Sequence, residues 1–118
     1  MSIVFKNVSK SYNNIKAVNN ISIDINKGQI IGFLGPNGAG KSTTLKMMAT
    51  YIKPDAGNIF INDINILDNP NKIREFIGYL PETNSLYYDM RVIDFLNFIG
   101  KIQNIKGKYL QERINYII

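Results

Sequence analysis

One stretch of the sequence combines glycines, a lysine and hydroxyl side chains at a spacing that suits phosphate chemistry. Residues 35–42 read GPNGAGKS, which matches the pattern G-x-x-x-x-G-K-[ST] of a phosphate-binding loop. Gly38 and Gly40 allow successive backbone N–H groups to turn towards one centre and form an anion-binding nest. A helix that begins near Lys41 aims its N-terminal N–H groups at the same point. The stretch therefore predicts a site for a polyphosphate.

The side chains at the end of this loop supply a positive charge and oxygen ligands. Lys41 is a compact cation that can reach the β- and γ-phosphates, and Ser42 offers a hydroxyl oxygen to Mg²⁺, which prefers oxygen ligands. Lys41 is the catalytic candidate and Ser42 the metal-ligand candidate. The full predicted phosphate-binding set is Gly35, Pro36, Asn37, Gly38, Ala39, Gly40, Lys41, Ser42, Thr43 and Thr44. The alternative is a structural glycine turn that caps the helix.

Secondary structure on both sides of the loop must hold it in place. The nearly continuous apolar run QIIGFLG at residues 29–35 predicts a central strand covered on both faces. Residues 41–52 have apolar side chains at helical spacing and predict a helix. A strand before the loop and a helix after it are the context that the motif requires. FIGYLP at residues 76–81 predicts a second buried strand. The apolar face of the helix is predicted to be Leu45, Met48 and Ala49.

The other segments predict an α/β fold in which an antiparallel β subdomain precedes a P-loop type core. Residues 2–12 and 21–25 alternate apolar and polar side chains, as half-buried antiparallel strands do. Residues 58–61 predict a short strand, followed by a turn at Asn62 and Asp63, because both residue types tolerate left-handed backbone angles. Further helices are predicted at residues 70–76, 91–103 and 109–118, the first of them opened by a proline.

Composition limits the remaining chemistry. The 118 residues suffice for one domain with a modest core, and they include neither cysteine nor histidine. Disulfides, thiolate metal sites and histidine triads are therefore excluded. The net charge of +5 is compatible with phosphorylated ligands or nucleic acid, but the lysines are scattered. An ordinary basic surface is the favoured interpretation, and no nucleic-acid partner is expected. No signal peptide pattern or membrane-length apolar run is present, which predicts a cytoplasmic protein.

With the loop in these surroundings, the sequence resembles the nucleotide-binding domain of ABC transporters over essentially its whole length. GPNGAGKSTTLKM is close to that family's form of the phosphate-binding loop. Ser11–Tyr12 followed by Ala17–Val18 is similar to the family's aromatic loop, and GYLPE at residues 78–82 is similar to its Q-loop region. The subtype with GYLPE resembles bacterial multidrug, antibiotic or gliding-type exporters.

The resemblance implies roles for three further residues. Tyr12 stacks on the adenine ring, and Val18 packs against the ribose or the adenine edge. Glu82 stands where the family commonly has a glutamine, and its oxygen is expected to reach Mg²⁺ directly or through water, as a second catalytic and metal-ligand candidate. The alternatives are an ordinary tyrosine at a strand end and a surface glutamate after a proline.

The resemblance also implies ATP and Mg²⁺ as cofactors and two kinds of partner. These are a transmembrane permease subunit and a second nucleotide-binding domain, with which the protein dimerises. The location implied is the inner face of the cell membrane, reached through the permease. Leu86, Tyr87 and Tyr88 in the segment 84–91 are expected either to anchor a protein interface or to cap the helix that follows them.

The rest of the family's hydrolysis machinery is not in the sequence. That machinery uses a second acidic strand end, a histidine switch and an L-S-G-G-Q-like signature, none of which occurs in the 118 residues. Residues 1–118 are therefore expected to form a partial, truncated nucleotide-binding domain that binds Mg-ATP and does not hydrolyse it efficiently alone. The alternatives are a non-catalytic half that a second chain completes and a soluble, non-transport member of the family.

Overall fold

The structure of the protein is a computed structural model that describes residues 1–83 and 86–118. It divides into two units, Met1–Tyr79 and Leu80–Ile118. The first unit contains β1 (Ile3–Tyr12), β2 (Ile15–Ile25), α1 (Lys41–Met48), β3 (Ala56–Ile61), β4 (Ile64–Asn65) and α2 (Pro70–Phe76). The second contains α3 (Val92–Ile102) and α4 (Gly107–Ile117). The mixed composition confirms the predicted α/β class.

The four strands form one antiparallel sheet in the order β2-β1-β3-β4. Asn13 and Asn14 join β1 to β2 with φ of 45° and 65°, and the predicted turn at Asn62 and Asp63 joins β3 to β4 with φ of 49° and 63°. Asparagine and aspartate adopt these left-handed angles more readily than other residues that carry a side chain. The strand predicted at residues 21–25 is longer than expected, because β2 pairs with β1 from Ile15 onwards.

The core of the first unit lies between the sheet and the two helices. It combines strand residues and Ile66, from the turn after β4, with one side chain from each helix, Met47 of α1 and Ile73 of α2. Of the three residues predicted on the apolar face of α1, Ala49 is buried and Met48 packs against the core while partly buried. Leu45 is half-buried and outside the core cluster, and the helix buries Thr44 and Met47 instead. Gly40, the residue before α1, lies directly against Ala17 and Val18 of β2. The buried cluster comprises Ile3, Phe5, Val8, Val18, Ile25, Met47, Ile59, Ile61, Ile66 and Ile73.

Two predicted strands do not form. Residues 29–35 and 76–81 have no strand assignment, and neither pairs with any strand in the described parts of the chain. Ile30 is 99% exposed and Leu34 is 95% exposed, the opposite of a strand covered on both faces. The reason is that a strand exists only through its hydrogen-bonding partners. An apolar sequence supplies the propensity, and the antiparallel sheet of the first unit supplies no neighbour for these segments.

The second unit is a pair of helices that contact each other. α3 confirms the helix predicted at residues 91–103, and α4 begins at Gly107, two residues before the predicted start. Gly100 of α3 lies directly against the side chain of Leu110 on α4, which is buried. The Gln111 amide donates a hydrogen bond of 3.0 Å to Asn97 Oδ1. Across residues 1–83 and 86–118, no helix has both the length and the apolar character needed to cross a membrane.

We expect the same substitution at two strand isoleucines to have different effects on the free energy of unfolding. Ile59 on β3 is fully buried, whereas Ile15 on β2 is exposed. Ile59→Val removes one buried methyl group and is expected to lower the free energy of unfolding by about 0.5–1.5 kcal/mol. Ile15→Val, the matched control, is expected to change it by less than about 0.5 kcal/mol. Urea denaturation followed by circular dichroism measures both values. Equal destabilisation by the two variants would contradict the placement of the core.

Candidate functional site

The glycine loop lies between β2 and α1 and ends on the N-terminus of that helix. The Ala39 N–H donates to Pro36 O at 3.2 Å, which closes a turn inside the loop. Gly38 and Gly40 both have φ of 83°, a left-handed angle that glycine adopts without a steric penalty. Gly40 is the N-cap residue, so α1 begins at Lys41, as the motif predicts.

The two left-handed glycines meet different surroundings. A Cβ atom at Gly40 would overlap the carbonyl oxygen of Ala17 on β2 and lie 3.1 Å from Val18 Cγ2. A Cβ atom at Gly38 would have no atom within 4 Å. The end of the loop is thus pressed against β2, while the turn at Gly38 faces open space. The first glycine leaves room for a ligand, and the second holds the loop on the sheet.

The Lys41 side chain folds back over the loop that precedes it. Its Nζ donates hydrogen bonds of 2.7 Å to Gly35 O and of 2.7 Å to Pro36 O. These bonds engage two of the three donors of the ammonium group. They are charge-assisted bonds to backbone atoms, which are stronger than neutral ones and fix the position of the cation. The positive charge is therefore held at the loop itself, where a polyphosphate is predicted to bind.

The hydroxyl residues after Lys41 differ in their burial. Thr44 is buried, its N–H donates to Gly40 O at 2.8 Å, and its hydroxyl donates to the same oxygen at 2.9 Å. Both donors of Thr44 are thus engaged within the helix, and its phosphate contact stays a prediction. Ser42 and Thr43 are half-buried in the first turn of α1, whose N–H groups point out of the helix end. Their contacts to Mg²⁺ and phosphate also stay predictions.

A cavity of about 490 Å³ lies between the loop and β2. Lys41 and Gly38 line it on one side, and Lys16 and Val18 line it on the other. Its volume falls within the range of small-molecule sites, and its two lysines favour an anionic ligand. The sequence alone did not indicate Lys16, because β2 was not expected to extend so far. The remaining lining residues are Ala17, Asn19, Ile21, Ile23, Phe33, Leu34, Ala39, Gly40 and Thr44.

The residues whose roles the family resemblance implies, Tyr12, Val18 and Glu82, are distant from the loop in sequence. Val18 is buried and lines the cavity, next to Gly40. Tyr12 ends β1 opposite Ile15 and is 45% exposed. Glu82 belongs to the second unit and is exposed. The structure thus brings Val18 to the loop, and the roles of Tyr12 and Glu82 stay predictions.

Residues 84–91 before α3 were expected either to anchor a protein interface or to cap that helix, and both roles stay predictions. The Tyr87 ring meets the Phe98 ring of α3 edge-on, with 6.1 Å between the centroids, and Tyr87 is itself exposed. Leu86 and Tyr88 are exposed, as interface anchors would be. Residues 84 and 85 of this segment lie outside the described residues.

A glycine loop on a helix N-terminus, a lysine folded over it and a cavity beside it define the first unit as a P-loop nucleotide-binding fold. The sequence pattern of the ABC transporter family matches residues 18–116. Because this match covers most of the chain, the protein belongs to the ABC transporter family, as the resemblance predicted.

One curated relative is the lipopolysaccharide export system ATP-binding protein LptB of Escherichia coli strain K12. It is 36% identical to this chain over 120 residues, an alignment that covers 99% of this chain and 50% of LptB. The chain therefore spans about half the length of this relative.

Two solved structures have a similar fold. One is an ATP-binding subunit of an ABC transporter, with a TM-score of 0.78 and 27% identity, covering 91% of this chain and 45% of that one. The other is an ATP-binding cassette in a dimeric post-hydrolysis state bound to ADP and phosphate. It has a TM-score of 0.57 and 34% identity over 61% of this chain and 34% of that one.

The contrast between Gly38 and Gly40 predicts unequal effects of the same substitution. Gly40→Ala forces a left-handed alanine and also displaces the β2 backbone at Ala17, whereas Gly38→Ala imposes only the left-handed strain of about 1–2 kcal/mol. Gly40→Ala is therefore expected to lower the free energy of unfolding by at least about 1 kcal/mol more than Gly38→Ala. Chemical denaturation of the ligand-free protein measures the difference. Equal losses would show that the loop does not depend on its contact with β2.

Proposed function

We propose that this chain is the nucleotide-binding part of an ABC transporter ATP-binding subunit and that it binds Mg-ATP. The observation that carries the proposal is Lys41, whose ammonium is held over the loop at residues 35–36 beside the cavity. In the complete subunit, ATP binding and hydrolysis drive the transport of a substrate across a membrane. The sequence and the fold of the family support this assignment.

The residues at the loop fit both parts of Mg-ATP. The open space at Gly38 leaves room for phosphate oxygens, and Lys41 supplies the opposite charge. Ser42 is proposed to offer its hydroxyl oxygen to Mg²⁺, with Glu82 as a second oxygen ligand, directly or through water. Among the residues that the structure describes, no cluster of three or more acidic, histidine or cysteine side chains could hold a metal by itself. The phosphates of ATP are therefore proposed to provide the other ligands, and bound Mg²⁺ supplies charge neutralisation at those phosphates.

The base of the nucleotide is proposed to lie against Tyr12. Its ring is partly exposed at the end of β1, and base–aromatic stacking contributes about 1–3 kcal/mol in nucleic-acid complexes. Val18 borders the cavity between this end of the hairpin and the loop, where it is placed to contact the ribose or the adenine edge. Stacking depends little on base identity, so few base-specific hydrogen bonds are required.

The partners proposed for the complete subunit are a transmembrane permease and a second nucleotide-binding domain. A related cassette forms a dimer in its post-hydrolysis state, which supports the second partner. Leu86 and Tyr88, exposed before α3, are proposed as part of the permease contact, because aromatic residues are enriched at protein interfaces. This assembly places the protein at the cytoplasmic face of the membrane.

Nucleotide binding is tested by Lys41→Ala with Lys46→Ala as a matched control. Lys46 lies on the same helix, is exposed and does not line the cavity. Loss of a charged donor at the phosphates is expected to weaken Mg-ATP binding by at least about tenfold, since bonds to charged groups contribute about 1.5–3 kcal/mol. Lys46→Ala is expected to leave the dissociation constant within about twofold. Isothermal titration calorimetry measures both, and equal affinity of the two variants would contradict the site.

A second candidate function is a non-catalytic nucleotide-binding half that another chain completes. The observation that favours it is the exposure of the apolar segment from Ile30 to Leu34, immediately before the loop. This segment has the composition of a central strand and no partner strand within the described residues. An exposed apolar segment of strand-forming composition can pair with a strand supplied from elsewhere.

Both candidates predict that the 118-residue chain alone does not turn over ATP efficiently. Catalysis of phosphoryl transfer depends on positioning and charge stabilisation, and the second acidic motif is not in this sequence. Phosphate release by the purified chain is expected to be no faster than that of Lys41→Ala. Under the second candidate, adding a chain that carries the missing motifs raises phosphate release and protects the amides of residues 30–34 from hydrogen exchange. Robust turnover by the chain alone, abolished by Lys41→Ala, would contradict the proposed inactivity.

A further inference from the structure

Asp55, in the turn before β3, engages three consecutive residues of β1. Its N–H donates to Ser9 O at 2.9 Å, its Oδ1 accepts a bond of 2.7 Å from Lys10 Nζ, and its Oδ2 accepts a bond of 2.8 Å from the Ser11 N–H. One residue thus satisfies a carbonyl, an ammonium and an amide along the same stretch of strand.

These bonds begin where the sheet ends. Ser9 and Ala56 form the last pair between β1 and β3. Beyond Ser9, β1 has β2 on one side, and on the other side the Asp55 carboxylate accepts the Ser11 N–H that a neighbouring strand would otherwise accept. Asp55 therefore takes the place of a strand along the last residues of β1, which would otherwise present unpaired backbone groups at the sheet edge.

The same carboxylate fixes a cation beside Tyr12. Lys10 Nζ lies 5.8 Å from the centroid of the Tyr12 ring, within the range of cation–π attraction. The Lys10 side chain is only 16% exposed. The Asp55 carboxylate, the Lys10 ammonium and the Tyr12 ring thus form one connected set of contacts. The Lys10 ammonium and the Ser11 N–H hydrogen bonds hold the pKa of the Asp55 carboxyl below its usual range, so the carboxylate stays charged at neutral pH.

This set of contacts lies at the end of the β1–β2 hairpin, whose second strand borders the cavity. Ser11 is opposite Lys16, and Tyr12 is opposite Ile15. Lys16 lines the cavity, so the strand end that Asp55 secures is continuous with the cavity wall. A shift of β1 at Ser11 would move the Tyr12 ring relative to that wall, whereas Asp55 makes no bond to the loop at residues 35–40 among the described residues.

We propose that Asp55 is a positioning residue for the nucleotide base, which it serves by holding Lys10 and Ser11 so that the Tyr12 ring is presented for stacking. The proposal rests on the proposed function, in which Tyr12 contacts the base. Asp55 itself does not touch the nucleotide. Substitution of Asp55 is therefore expected to weaken the binding of the base and to leave the binding of the phosphates unchanged.

The test compares two ligands, Mg-ATP and Mg-tripolyphosphate, which share the phosphates and differ in the nucleoside. Asp55→Asn removes the charge that holds Lys10, and Asp55→Ala also removes the acceptor for the Ser11 N–H. We expect Mg-ATP binding to weaken about threefold to tenfold in Asp55→Asn and further in Asp55→Ala. Mg-tripolyphosphate binding is expected to stay within about twofold. Asp24→Asn, an equal change of charge at an exposed position on β2, is the control and is expected to alter neither.

A double variant separates positioning from a general effect on stability. If Asp55 acts through the ring, then Asp55→Asn in a Tyr12→Ala background causes no further loss of Mg-ATP affinity. A parallel loss of tripolyphosphate binding, or an additive loss in the double variant, would overturn the inference and leave Asp55 a purely structural residue. If the unaltered chain binds both ligands and the Asp55 variants match it, the inference alone fails. If the unaltered chain binds neither ligand, the proposed function fails with it.

Discussion

The close approach of Gly40 to the backbone of β2 is the constraint on which the first unit depends. Because Gly40 has no side chain, the loop can touch the Ala17 carbonyl. This contact joins the glycine-rich loop to β2 of the antiparallel sheet. The position of α1 follows, because the helix begins at the next residue. Met47 then reaches the core, and the cavity takes its shape from the space left between the loop and β2.

The geometry of the glycine loop is local in sequence, and this explains why it could be predicted. Lys41 bonds to carbonyls five and six residues before it, and the left-handed turns at Gly38 and Gly40 need no distant partner to specify them. The asparagine turns have the same local origin. A short motif therefore contained most of the information for the loop, its helix start and its cation.

The failed predictions share a non-local cause. Residues 29–35 and 76–81 have the composition of strands, but a strand is defined by its neighbours, and the sequence pattern of a segment does not say whether a neighbour is present. Lys16 was missed because the pairing of β2 with β1 extends past its clean alternation. Asp55 was missed because its three bonds join residues more than 40 positions apart, with no motif to mark them.

Contacts between residues close in sequence build the part of the proposed binding site at the loop, and contacts between distant residues build the part at Tyr12. The loop is proposed to hold phosphate with backbone geometry and one lysine, both of which belong to the short segment at residues 35–42. The part of the site proposed for the base depends on the last residues of β1. There β1 no longer pairs with β3, and the Asp55 carboxylate accepts the Ser11 N–H instead. A hydrogen bond made by a side chain is more easily changed than one made by a neighbouring strand, since one substitution removes it. The base side can therefore vary through Asp55 and Lys10 while the phosphate side stays intact, because neither residue contacts the loop through any bond seen among the described residues.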